Sequence, residues 1–154
     1  MPHPPVPRVH VDADVLATRT PFCWLAMLRD ETDGGFRLIT SHDALATATE
    51  DWRSRHPGAD AAVAARRAEL LRAVLDDVVV ADATTGAAAP DDVLCLVDDE
   101  EPASVRAVTL RRQDDLERRR QDGIPSPSLP DALVAAGCPA FADRVAAHLR
   151  ALHR

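Results

Sequence analysis

The stretch Arg8 to Leu16 reads Arg-Val-His-Val-Asp-Ala-Asp-Val-Leu, and it narrows what the chain can fold into more than any other. Val9 and Val11 share one face of a strand, because side chains alternate with period 2. The strand stops on Asp12, and Asp14 opens the next segment two residues later. In open α/β sheets, ligands and metal ions gather at the C-terminal ends of the strands. Both acids are therefore candidate site residues. They also have an ordinary reading, in which they end a strand and cap a helix. Local sequence leaves both readings open.

The elements that follow predict an α/β fold with a parallel sheet. Thr20-Pro21 predicts a helix start, a capping hydroxyl followed by Pro at the first helical position. Phe22, Leu25, Met27 and Leu28 supply that helix's apolar face, and Asp33-Gly34-Gly35 ends it. A second strand covers Phe36 to Thr40. Ser41 caps a helix from His42 to about Arg55, with Leu45, Ala48 and Trp52 along one side. An Ala-rich helix from about Asp60 to Leu75 leads into a strand at Val78-Val79-Val80. Beyond Asp82 the pattern turns helical. Pro90-Asp91-Asp92 starts a helix carrying Val93, Leu94, Leu96 and Val97, and Ala103 to about Gln121 is a second one. Ile124 to Pro130 connects to two short helices split at Gly137-Cys138-Pro139. The last carries Phe141, Val145, Leu149 and Leu152 at helical spacing, a face that must dock on something.

Composition bounds the function. A chain of 154 residues that is 46% hydrophobic and 28% charged supports one folded domain. Aromatics are 3%, with no Tyr, which argues against a base-stacking face of the RNA-recognition or OB type. At a net charge of −7 the whole chain does not attract nucleic acid, so RNA contact needs a local basic patch or a metal ion. Arg111, Arg112, Arg118, Arg119 and Arg120 form a basic run. Asp114, Asp115 and Glu117 are interleaved with it at intrahelical pairing distance, so a salt-bridged face accounts for it. Cys23, Cys95 and Cys138 fit neither a disulfide framework nor a zinc site, and the six His make no metal pattern. No apolar run approaches the ~18 residues of a membrane span. Met1 to Pro7 is a Pro-rich lead without signal-peptide order. The expectation is a soluble, cytoplasmic protein.

Val-His-Val-Asp-Ala-Asp-Val-Leu, with Thr18-Arg19-Thr20 and Trp24-Leu25 behind it, resembles the opening of PIN-domain proteins, in particular the VapC-like actinobacterial branch. Two later stretches resemble that branch's C-terminal helical extension. They are Pro90-Asp91-Asp92-Val93-Leu94-Cys95-Leu96-Val97-Asp98-Asp99 and Leu129-Pro130-Asp131-Ala132-Leu133 with Ala136-Gly137-Cys138-Pro139. The likeness covers about 8–82 and 90–152. It implies a PIN-like three-layer domain over 8–82, with a short, truncated parallel sheet. A linker over 83–89 and C-terminal helices over 90–154, packed on that domain, would follow.

The resemblance also implies a toxin-type endoribonuclease dependent on Mg²⁺ or Mn²⁺, in which three or four carboxylates converge on the metal. Asp12 matches the first of these acids, and Asp14 stands where Asn is usual. The next acid, a Glu, falls on Thr47. Asp43 and Glu50 lie about one turn to either side and could substitute only if the helix were shifted. Several tens of residues that normally follow the third strand, with further acids, are missing. Asp91 and Asp92 are the residues that could stand in. The catalytic candidates are thus Asp12, Asp14 and Asp43, and the metal candidates Asp12, Asp14, Asp91 and Asp92. Too few acids would leave an impaired enzyme or a non-catalytic module that binds RNA or protein. Single-stranded RNA, an antitoxin or other protein, and a second copy through the sheet edge left by the deletion are the expected partners.

Overall fold

The computed structural model describes residues 5–80 and 89–154. Residues 1–4 of the lead, Asp82 and nearly all of the expected linker lie outside them. The chain runs β1 (Arg8–His10), α1 (Ala13–Ala17), α2 (Arg19–Glu31), β2 (Arg37–Ser41), α3 (His42–Arg55), α4 (Ala61–Val74) and β3 (Asp77–Val79). It continues as α5 (Pro90–Glu100), α6 (Pro102–Gln121), α7 (Leu129–Ala135) and α8 (Pro139–Leu152). The fold is α/β and mainly helical, with a small parallel sheet in the order β1-β2-β3.

The centre of the sheet is β2. Its Leu38, Ile39 and Thr40 are all buried, the unbroken burial expected of a parallel strand covered on both faces. Thr40 is the polar member, and its hydroxyl donates to the Val11 carbonyl at 2.7 Å. That bond satisfies a buried hydroxyl and fastens the end of β1 to β2. Replacing Thr40 by Val, which keeps the shape and removes the hydroxyl, should cost about 1–2 kcal/mol in urea unfolding, since it orphans the carbonyl as well. At the opposite end of the sheet Asp76 has the corresponding role. Its carboxylate accepts from the Leu38 N–H at 2.7 Å and from Arg29 at 3.2 Å, while Arg29 also donates to the Val74 carbonyl at 2.6 Å. One acid thereby joins α2, β2 and the approach to β3.

The core gathers on α2, where Pro21, Phe22, Trp24, Leu25 and Leu28 are buried. The helix begins at Arg19, earlier than the Thr20-Pro21 signal predicts. Thr18, in an extended conformation, is its N-cap and makes no side-chain capping bond. The Thr18 N–H turns back to the Asp14 and Val15 carbonyls, so the end of α1 sets the start of α2. The helix ends as expected, with Asp33 and Gly34 both at positive φ and the Gly34 N–H donating to the Arg29 carbonyl. Ser41 caps α3 by accepting from the Ala44 N–H at 3.0 Å.

The C-terminal helices share this core. Trp24 meets Phe141 of α8 edge to face, with ring centroids 5.2 Å apart, and Leu94, Val105, Val108, Leu133 and Val145 join the same cluster. The apolar faces expected of α5 and α8 are narrower than their sequence patterns, since Leu96 and Leu152 are exposed. Gly123 and Gly137, at positive φ, close α6 and α7. In each case the N–H of the next residue donates back to Arg119 or Leu133, the Schellman arrangement that favours Gly. Among the described residues no helix is long and apolar enough to cross a membrane.

Candidate functional site

Asp12 leaves β1 and becomes the N-cap of α1. Its carbonyl accepts from the Leu16 N–H at 3.0 Å, and its carboxylate makes no capping bond. Asp14 lies in the first turn of the same helix. Arg67 of α4 anchors this short element by donating to the Leu16 carbonyl at 2.7 Å. Its guanidinium also lies over the Trp52 ring, 5.7 Å from the centroid. Burial, with Arg55 nearby, lowers the pKa of Arg67.

Both Asp12 and Asp14 are exposed, and both line a cavity of about 370 Å³. Its other walls are Val15, Thr18 and Pro21 on one side, and Ala89, Pro90, Ala136 and Gly137 on the other. The start of α5 and the end of α7 are thus brought against the C-terminal end of β1, where an open α/β sheet places a ligand.

The remaining acids named from the sequence go elsewhere. Asp91 does not line this cavity. Its carboxylate accepts from the Ala140 and Phe141 N–H groups at 3.1 and 2.8 Å. That occupies the first turn of α8, whose own N-cap, Cys138, makes no side-chain bond. Asp92 is exposed in the first turn of α5. Asp43 is exposed in the first turn of α3, where the helix dipole accounts for an acid. Glu50 is exposed further along the same helix. Asp43, Asp92 and Glu50 do not line the cavity either. Among the described residues, no three His, Cys, Asp or Glu side chains are grouped so that they could hold a metal ion.

A hard divalent cation wants six or more oxygen ligands. The described residues offer two carboxylates in one cavity, so they do not fit the three- or four-acid set that a PIN-type centre implies.

Two groupings were not evident in the sequence. The first braces α5 to α8. Asp98, nearly buried, accepts from His148 Nε2 at 2.9 Å and from Arg144 at 3.4 Å. Arg144 also reaches Asp99 at 2.6 Å and the Cys95 carbonyl at 3.1 Å, and its hydrogen bond holds the Asp99 carboxyl below the ordinary value. Spacings of 45 to 50 residues hide such pairs from any local reading.

The second is a cleft of about 520 Å³ between the start of α2 and the C-terminal half of α6, lined by four arginines. The salt-bridged face expected for the basic run is present in part. Arg118 pairs with Asp115, and Arg111 pairs with Glu31 of α2 at 2.9 Å.

The cysteines are free thiols, with Cys138 fully buried. Burial pushes the Cys138 thiol up to about 11, with Asp91 and Cys95 adding to the effect. Native Cys138 should therefore resist iodoacetamide at pH 8 and react once the chain is unfolded, as read by mass spectrometry. An unfolded thiol ionises near its ordinary pKa of about 8.5. The unfolded state then holds fewer protons than the native state between about pH 8.5 and about 11. Stability should fall with rising pH across that window.

Compared with known proteins, the sequence matches no family model, and neither a curated protein nor a solved structure shows significant similarity to it.

Proposed function

We propose that the chain is a PIN-like protein, related to toxin-type endoribonucleases of the VapC-like branch, that binds single-stranded RNA and is impaired in hydrolysis. The observation that carries this reading is the pair Asp12 and Asp14, set at the C-terminal end of β1 and opening together into one cavity. Their position agrees with the resemblance, and their number argues against efficient catalysis. Two exposed carboxylates hold Mg²⁺ or Mn²⁺ weakly and leave most of its coordination to water and substrate phosphate. Among the described residues β1 pairs with β2 alone, which leaves its other side open to a further strand.

The test is incubation of a mixed single-stranded RNA pool with folded wild-type protein and with Asp12→Asn, each with Mn²⁺, with Mg²⁺ and with chelator. The expected result is RNA retained on the protein, with no metal-dependent cleavage that distinguishes wild type from Asp12→Asn. Metal-dependent cleavage by wild type, lost by about 100-fold or more in Asp12→Asn, would overturn the impairment. That size of loss is typical of removing a group that stabilises charge in the transition state. No retention of RNA under any condition would overturn the RNA reading.

A further inference from the structure

The arginine cleft, of about 520 Å³, is one-sided in its chemistry. Arg19, Arg112, Arg118 and Arg119 line it against Asp115 and Asp122. That leaves two formal positive charges in excess, in a chain whose net charge is −7. Arg118 is spent on Asp115. Arg19 and Arg119 make no ion pair among the described residues, and both are exposed. Arg112 is the telling member. Its Nε–H is buried and has no hydrogen-bond partner. A buried charged donor left unpaired costs more than a neutral one, so Arg112 gains a partner by turning toward an anion in the cleft.

The cleft is also placed with respect to Asp12 and Asp14. Residues 18–21 divide the two cavities, with Arg19 and Thr20 facing the arginine cleft and Thr18 and Pro21 facing the acidic one. The short helix α7 likewise contributes Ala132 to the first, and Ala136 just past its end lines the second. A helix of seven residues is about 10 Å long, so the two cavities are neighbours.

We infer that this cleft binds successive phosphates of single-stranded RNA, with Arg112 and Arg119 as guanidinium forks and Arg19 at the side facing Asp12 and Asp14. The occupant, RNA rather than another polyanion, rests on the function proposed above. Guanidinium groups suit phosphate because their planar N–H pairs match two oxygens at once. A polymer that fills the cleft has its next segment beside the acidic cavity.

The experiment is fluorescence anisotropy of a labelled single-stranded 12-nucleotide RNA with full-length protein, in chelator, across a range of salt. The variants are Arg112→Gln and the double Arg19→Gln/Arg119→Gln, with Arg53→Gln/Arg72→Gln as a control pair on exposed faces of α3 and α4. Arg112→Lys keeps the charge and removes the fork, and covers the case in which Arg112→Gln fails to fold. Three phosphate contacts predict a log–log salt slope of about 2, and removing two arginines should lower it by about 1.4. The cleft double variant should bind about 10-fold or more weakly, and the control pair should match wild type. Equal binding and equal slope in the cleft variants, or the same loss in the control pair, overturns the inference while leaving RNA binding intact.

A second probe separates failure of the inference from failure of the RNA reading. Inorganic phosphate is titrated while the Arg112 Nε–H resonance is followed by NMR. A shift without RNA binding supports the cleft as a phosphate site and overturns RNA as its occupant. No shift and no RNA binding overturns both.

Discussion

Replacing Phe141 by Ala is expected to lower folding stability by about 3–5 kcal/mol, the usual range for emptying a buried aromatic position. The ring is fully buried, and it is the edge-to-face partner of Trp24, so the substitution removes both packing area and the aromatic pair. In a domain of this size each kcal/mol moves Tm by roughly 2–4 °C, and the melting temperature should drop by about 6–20 °C. Thermal unfolding followed by far-UV circular dichroism reads this directly. A drop of only a few degrees would mean that α8 is not seated on α2. Phe141→Leu, which refills most of the volume, should recover much of the loss.

Replacing Asp91 by Ala should cost about 2–3 kcal/mol. The carboxylate accepts two charge-assisted bonds from the first turn of α8. Losing a cap costs about 1 kcal/mol on its own, and bonds to a charged acceptor add to that. Asp91→Asn keeps one oxygen acceptor and should lose about half as much. Urea midpoints of the two variants compare these values. If Asp91 instead served a metal centre, truncating it would relieve charge repulsion, and stability would hold or rise. The sign of the change separates the two roles.

Much of the fold was legible because its signals are local. Ser41 followed by Leu45 and Ala48 identifies the capped helix α3, and Gly34 and Gly137 mark helix ends through backbone conformations that side chains oppose. The strands at Arg8–Val11 and Phe36–Thr40 are read from β-branched and apolar runs. The start of α2 was misread because Thr20-Pro21 carries a strong local signal, while the actual boundary is set by the carbonyls of α1. For the site, Asp12 and Asp14 were legible as a pair at a strand end. The destination of Asp91 was not, because the N–H groups it caps lie 49 and 50 residues away. The arginine cleft was hidden for a related reason. The interleaved acids of α6 correctly suggest pairing for Arg118, but nothing in the helix reveals that Arg19 comes to face Arg112 across a cavity.

The contact between Trp24 and Phe141 has a consequence during synthesis. The indole that anchors the core emerges from the ribosome more than a hundred residues before the ring that covers it. At about 5–20 residues per second, that interval is on the order of 10 s. Through it, α2 carries a bare apolar face with Phe22, Trp24, Leu25 and Leu28, and only the sheet and its neighbouring helices can shield part of it. A nascent chain in that state is a natural client for chaperones that hold exposed hydrophobic helices. Truncation before α8 should therefore yield an aggregating product rather than a smaller folded domain.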